Sequence, residues 1–567
     1  MDNWSRRKFL VEAGIALGSI GACSRLSAEN AEWLAPELLS GANKASDARP
    51  VMRGVMVDAA RLPESMEYYR RVVDFCAEWQ LNTVQFRLAD DQGSALRFQT
   101  VPDLLTHKNA FTPEEMRGLA EYAASHGVDL LPEVESFGHT GFVTRSPAYT
   151  HLLDADAAGD AVFTGVIPVL PETLELFETL YREVASIFPS QWLHGGCDEV
   201  NWGGSALSRR ALQAKSRAQI WAEYLNALNK ISIALGKHFI VWGDFVLHKE
   251  PEILPRLDKN IVLMDWNYRE NSSAKLQETL DRVRENGSRA IGAPGLINYQ
   301  WGPRVGSEQL RNIDAYAECY AEGNNAASLG VMLTNWVPTR YLQNSIWDGF
   351  AYAAVAFNMG TATAQTSAWQ RFVEKHYGAQ WNEMWDEVFA LIYDYAPCVQ
   401  DRETAPWMSP PLRVPWSSDE ELKAVMADTM DRPNPYAQLL HSLASVEGSV
   451  SRNKADFQSF RLCVEYLDAV VSRESAVVSA APVEMVDKTA GLALIEAIAE
   501  RDRKMAEALD KDWDDGRPAD SPGKSEPVFY FRPKDALLYQ WRRAAAYSAL
   551  LAADPERYFR LVVSRPA

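Results

Sequence analysis

The sequence predicts an α/β chain: a (β/α)8 barrel followed by an all-α C-terminal region. Two observations carry that expectation. As far as about residue 360, short β-branched or apolar runs alternate with longer helical patterns, the order expected of parallel strands joined by helices. The strand-like runs are 54–58, 83–88, 129–133, 192–196, 239–242, 261–266, 289–293 and 330–334, and eight is the number that closes this kind of barrel. From about Ser367 the strand signals fade, and amphipathic patterns cover 437–446, 457–473, 492–509 and 537–552.

Between the strands, residues 66–79, 113–126, 174–188 and 209–235 place apolar side chains three and four apart, as helices against a sheet do. A doubly wound sheet is the alternative. It needs a switch point and usually a Gly-rich phosphate turn after its first strand, and Gly54-Val55-Met56-Val57-Asp58-Ala59 supplies neither. Residues 512–526, rich in Asp, Gly, Pro and Ser, read as an exposed loop between the last two helices.

A chain of 567 residues with 47% hydrophobic and 23% charged content can bury a large core and divide into domains. The expected boundaries are a signal at 1–23, a linker at 24–49, the barrel at 50–365 and the helical domain at 366–567. Ser5-Arg6-Arg7-Lys8-Phe9-Leu10 and the apolar run behind it read as a twin-arginine export signal. Glu12 and the short length argue against a spanning helix. Ile20-Gly21-Ala22-Cys23 resembles a lipoprotein lipobox, the alternative being an ordinary cleavage region with Cys23 incidental. The protein is therefore expected in the periplasm or as an outer-membrane lipoprotein, touching membrane only through Cys23.

A net charge of −19 repels phosphate backbones, so nucleic acid is excluded as a partner. The remaining cysteines, Cys76, Cys197, Cys319, Cys398 and Cys463, are widely spaced, with no CxxC pair. They suggest neither a disulfide framework nor zinc, and no cofactor or metal is expected.

In a barrel, working residues cluster where the strands' carboxyl ends meet. Here those ends carry Asp58 and Arg61, Asp90 and Asp91, Glu133, Glu135 and His139, then His194-Gly195-Gly196-Cys197-Asp198-Glu199 and Trp242-Gly243-Asp244. Any one carboxylate reads equally as a solvated cap, whereas five charged ends in succession favour a shared mouth. Adjacent residues on a regular strand point oppositely, so Asp198 and Glu199 face the mouth together only if the strand breaks near Cys197. Like charge and burial would then raise one pKa and set a proton donor beside an anion. The competing reading is an exposed acidic turn. A retaining glycosidase ordinarily needs a second carboxylate across the sugar. The seventh strand leads into Ala293-Pro294-Gly295-Leu296-Ile297-Asn298, which has none, so the nucleophile is expected from the substrate.

These motifs resemble glycoside hydrolase family 20, the β-N-acetylhexosaminidases. The first-strand pattern appears as Arg53-Gly54 followed by Asp58 and Arg61, and the next as Leu81-Asn82 leading to Asp90-Asp91-Gln92. The third appears in Pro132-Glu133-Val134-Glu135-Ser136-Phe137-Gly138-His139 and the fourth in 194–200. The resemblance implies that Glu199 is the general acid and later the base, and that Asp198 holds the acetamido group of a terminal 2-acetamido sugar. It implies that Asp90 and His139 form a relay behind Glu199, that Arg61 grips sugar hydroxyls, and that Trp242 and Trp266 wall the pocket, although core tryptophans would look the same. Asn298, Tyr299 and Trp336 complete the expected sugar-facing set. Against the family pattern, Arg87 stands for His, Cys197 for Gly, Glu135 for Asp and Phe137 for Pro. The tyrosine for the acetamido carbonyl falls at Leu296, with Tyr299 as substitute, and the eighth strand reads Leu333-Thr334-Asn335-Trp336 where W-x-E is usual.

The expected activity is an exo-acting retaining hexosaminidase using substrate-assisted catalysis. Alternatives are a hydrolase of a sulfated or branched amino sugar and a non-catalytic glycan-binding envelope lipoprotein. A metal site of His139, Asp90, Asp198 and Glu199 matches no usual ligand spacing.

Overall fold

The computed structural model describes residues 52–154, 165–297, 306–395, 415–427, 434, 436–484, 487–518 and 537–563. The expected export signal, Cys23, Asn298 and Tyr299 lie outside them. Eight parallel strands, β1 (Met52–Val57), β2 (Thr83–Asp90), β3 (Asp129–Val134), β4 (Trp192–His194), β5 (His238–Trp242), β6 (Val262–Asp265), β7 (Arg289–Gly292) and β8 (Ser328–Asn335), pair in chain order. The ring closes where β8 pairs with β1, Met52 opposite Gly330 and Val55 opposite Leu333.

Both faces of each strand are covered, which is why the strands read as continuous apolar runs. On β1, Met52 and Met56 enter the barrel interior with Leu131, Ile240, Met264 and Met332, while Val55 and Val57 point outward toward the helices. The period-two alternation is thus hidden in composition yet present in space.

The helices α1 (Met66–Glu78), α2 (Pro113–Ser125), α3 (Pro171–Ile187), α4 (Arg217–Ala234), α5 (Ser273–Glu285), α6 (Ser307–Tyr316) and α7 (Trp347–Met359) fill the outer ring. Their starts follow local chemistry: Ser65 caps α1, and Thr112 and Glu115 form a capping box on α2 with Pro113 in its first turn. The single helix expected over 209–235 is instead two, Ala206–Leu212 and Arg217–Ala234. Ser216 restarts the chain by accepting from the Gln219 amide, a cap that breaks a pattern whose apolar spacing runs on.

After β8 the described chain is helical, ending in the long α8 (Lys454–Glu484) and α9 (Lys488–Gly516), then α10 (Leu537–Ala553) and Pro555–Val563. The loop expected to begin at Asp512 begins later. Trp513 is buried and holds the last turn of α9 to Gly516, and residues 519–526 lie outside the described set. Asp456 ties this region to the barrel, accepting from Arg71 of α1 at 2.7 Å and meeting His376 Nε2 at 2.9 Å. Deeper in the helices, Arg473 is fully buried: its Nε donates to Asp502 at 2.9 Å and its Nη1 to the Trp416 carbonyl at 2.9 Å. Its guanidinium lies 3.3 Å from the Trp416 ring centroid. Burial draws its pKa down to about 10 against the pull of Asp502.

Candidate active site

Strand β4 stops at His194, and the next residues leave extended geometry: Gly196, Cys197 and Glu199 have φ of 65°, 74° and 43°. This is the break that paired carboxylates require. Glycine is obligatory at 196 for a second reason, since a Cβ there would sit 1.9 Å from Glu135 Oε2. Beyond the break, one ligand atom each from His139, Asp198 and Glu199 lies within 4.8 Å of the other two.

His139 is itself in the left-handed region, at φ 48°. Its Nδ1 meets Asp91 Oδ2 at 2.8 Å, while its Nε2 lies 3.3 Å from Glu199 Oε2 and 3.7 Å from Asp198 Oδ2. The relay therefore runs Asp91–His139–Glu199, not through Asp90 as expected. The reason is local: β2 ends at Asp90 and doubles back through Gly93–Leu96, so adjacent carboxylates go to different partners. Burial would lower the His139 pKa, but Asp198, Asp91 and Glu199 outweigh it and raise it well above the usual value. An imidazolium then holds the three acids together. Both ring nitrogens being committed to carboxylates, the trio is set up to hold a proton. A metal would need the ring neutral with a nitrogen released.

Asp198 is buried, and its Oδ1 has no hydrogen-bond partner among the described residues. A buried acceptor left open in this way is suited to an N–H brought by a ligand. The Glu199 side chain is about a third exposed (36%), so it alone of the trio reaches toward solvent. Burial would raise its pKa, but His139, then Lys249 and Arg61, more than offset that and lower it, so the rise expected of the proton donor in the pair is overturned at Glu199 by the cations around it. Asp244 accepts from the Glu199 amide at 3.3 Å and from Lys249 Nζ at 2.8 Å, and burial pushes its pKa up to about 6 against Lys249.

Behind this trio lies a second layer around Arg87, wholly buried. Its guanidinium meets Asp90 at 2.7 Å, Glu135 at 2.7 Å, Glu133 at 3.3 Å and Asp58 at 3.6 Å. Glu135 Oε2 also accepts from the Cys197 amide at 3.0 Å. Three departures from the family pattern, Arg87, Glu135 and Cys197, thus meet at one point, the long Glu reaching the long Arg. Arg61 continues the network, with Nη1 2.9 Å from Asp58 and Nε 3.1 Å from Asp90.

The aromatic wall is shared among strands. Trp242 is buried beneath the mouth, its Nε1 donating to Glu133 Oε1 at 2.9 Å, between His194 at 4.7 Å and Trp336 at 5.6 Å. Arg61 lies 5.0 Å over the Trp336 ring. Trp266 stacks on Tyr268 at 5.2 Å, and the Tyr268 hydroxyl accepts from Trp336 Nε1 at 2.6 Å and lies 3.2 Å from Thr334 Oγ1. Tyr268, like Lys249, is a site residue that sequence reasoning missed. Burial raises its pKa, and the charges of Asp198 and Glu199 add to the rise. Gly295 makes its seat, because a Cβ there would come within 2.6 Å of the ring. Leu296, where the family tyrosine was expected, packs outward with the helices.

Residues 51–331 match the model of glycosyl hydrolase family 20, catalytic domain. The barrel belongs to that family. Within family 20, the chain is 27% identical to a beta-hexosaminidase of Vibrio furnissii over 251 residues, 38% of this chain and 39% of that protein. It is 26% identical to beta-hexosaminidase subunit alpha of Bos taurus over 270 residues, 44% of this chain and 49% of that one. The chain spans less than half the length of these curated relatives. A chitobiase structure from Flavobacterium johnsoniae aligns at 16% identity and a TM-score of 0.48, over 88% of this chain and 78% of that one.

Proposed function

We propose that the protein is an exo-acting, retaining glycoside hydrolase that releases terminal β-linked N-acetylhexosamine from glycans by substrate-assisted catalysis. The observation that carries the reading is the meeting of Asp198, Glu199 and His139 within 4.8 Å. One acid reaches solvent, one buried acceptor is open, and β7 leads into residues without a carboxylate. Membership of family 20 and relatives named beta-hexosaminidases support it.

In this mechanism the acetamido carbonyl oxygen attacks the anomeric carbon as the glycosidic C–O bond breaks. The proton held by His139 passes across the 3.3 Å contact to Glu199, and Glu199 delivers it to the leaving oxygen. Asp198 accepts the amide N–H and balances the positive oxazolinium. Glu199, now a base, takes a proton from water, whose oxygen forms the new anomeric bond and reopens the ring with retention. Tyr268 and Trp336, bonded to each other, supply a polar edge to the sugar pocket, and Arg61 stands over Trp336 for the sugar hydroxyls. Among the described residues, the cations Arg61, Arg87 and Lys249 are each engaged by acids, Arg61 by Asp58 and Asp90, Arg87 by four carboxylates and Lys249 by Asp244. That balance favours an uncharged sugar over a sulfated one.

The test compares an aryl 2-acetamido-2-deoxy-β-glycoside with the same glycoside bearing a 2-hydroxyl. Comparable rates on the two would eliminate substrate assistance. Export by the twin-arginine route is a separate proposal resting on Ser5 to Leu10. Retention of an Arg6→Lys, Arg7→Lys variant in the cytoplasm would support it, and unchanged export would overturn it.

A further inference from the structure

Among the described residues, the helical region after the barrel meets the loops at the mouth through the Arg517 side chain, beside packing of α10 on residues 338–340. Arg517, the residue following α9, is buried, with its guanidinium 3.8 Å from the Trp513 ring centroid. Its Nε donates to both oxygens of Glu64, at 3.0 and 2.9 Å, and its Nη2 donates to the carbonyls of Pro338 at 2.9 Å and Tyr341 at 3.4 Å. Burial raises the Glu64 pKa and Arg517 opposes the rise. Gln343 Nε2 donates to the same carboxylate at 2.9 Å.

Glu64 lies three residues beyond Arg61, and Pro338 two beyond Trp336. Arg517 therefore clamps the β1 loop to the β8 loop. The two loops also join directly, the Val337 amide donating to Asp58 Oδ2 at 3.0 Å. Val337 is held at φ 56°, a conformation a β-branched residue adopts only when its surroundings enforce it. On the other side of that turn, Trp336 faces Arg61 and bonds Tyr268.

We propose that Arg517 is a positioning residue. Through it the C-terminal helices set the spacing between Arg61 and Trp336, and so the grip on the terminal sugar's hydroxyls. This rests on the glycosidase reading above. A guanidinium suits the task because its planar fork can hold a carboxylate and two carbonyls at once, which an ammonium cannot do in the same geometry.

The experiment uses the full chain and three variants: Arg517→Gln; Arg517→Met with Glu64→Gln, which removes both charges should the single change fail to fold; and Arg473→Gln. The last breaks a buried ion pair inside the helices without touching either loop. KM and kcat are measured on the aryl 2-acetamido glycoside, and amide hydrogen exchange on residues 58–64 and 336–341. Both Arg517 variants are expected to raise KM about tenfold or more with kcat changed less than about threefold, the split expected when substrate grip is lost but the acid stays in place. Exchange in both loops should accelerate. Arg473→Gln should lower the melting temperature with KM and loop exchange unchanged. An unchanged KM in a folded Arg517 variant, or an equal rise in the Arg473 variant, overturns the inference. If the wild type does not cleave the glycoside, the glycosidase reading fails on its own. Unchanged loop exchange would still refute the clamp.

Discussion

Two fully buried arginines sit in chemically opposite settings. Arg473, among the C-terminal helices, faces one carboxylate, Asp502, and is finished by the carbonyls of Trp416 and Ala544 and by the face of an indole. Arg87, under the mouth, faces four carboxylates within 3.6 Å. In the first, charges cancel one to one and burial still lowers the guanidinium pKa to about 10. In the second, the acids overcome burial and raise it well above its usual value. A balanced pair secures packing. An excess of acids around one guanidinium stores electrostatic potential that a ligand or a proton can answer.

The contrast can be tested by changing each side. Glu199→Gln should lower kcat about 10³-fold, on the order of 4 kcal/mol, while ligand binding measured by calorimetry persists. Retained turnover would mean that the exposed acid of the trio does no chemistry. Arg473→Met should cost about 3 kcal/mol of stability, because Asp502 is left buried and uncompensated, with kcat/KM unchanged in the folded fraction. Thermal melts and kinetics check both halves. A double-mutant cycle of Arg87→Met and Glu135→Gln should give a coupling of about 2 kcal/mol, smaller than the sum of the single losses, since the pair acts as a unit. Tyr268→Phe should reduce kcat/KM on the acetamido glycoside about tenfold, near 1.4 kcal/mol, with little effect on melting. The smallest effect is expected at Lys249→Gln. Its charge lowers the Glu199 and Asp244 pKa values, so removing it raises both, and the alkaline limb of the kcat/KM profile should move to higher pH. Movement to lower pH would reverse the assigned sign.

The barrel was legible because each strand is a short apolar run between helical patterns, and the observed strands overlap all eight expected runs. The acidic strand ends were legible for the same reason, their polarity standing out against apolar neighbours. What sequence could not show is partner choice. Asp90 and Asp91 are adjacent and chemically identical, and only the reversal of β2 sends one to Arg87 and the other to His139. Arg87 and Glu135 read separately as departures, although both lengthen the usual side chain, a signal that they compensate. Tyr268 lies in the loop after β6, where no periodicity marks it, and becomes visible only through Gly295 and Trp336. Arg517 is 453 positions from Glu64, a pairing that nothing local announces.

The acids around Arg87 also alter what folding does to the solvent. Burial pushes the Glu133 pKa up to about 7 and that of Glu135 well above its usual value, so between the unfolded carboxyl pKa and neutrality the native chain holds protons that the unfolded chain has released. His139, raised by its three acids, adds to the same side, its contribution present below the unfolded histidine value and lost as pH climbs through the folded one. Glu199, lowered, works in the opposite direction at more acidic pH. His194, drawn by burial down to about 3, and His107, also lowered by burial, release protons on folding below the unfolded histidine value, so near pH 6 to 7 the heat of unfolding should differ between phosphate and imidazole with the sign and size of the net exchange.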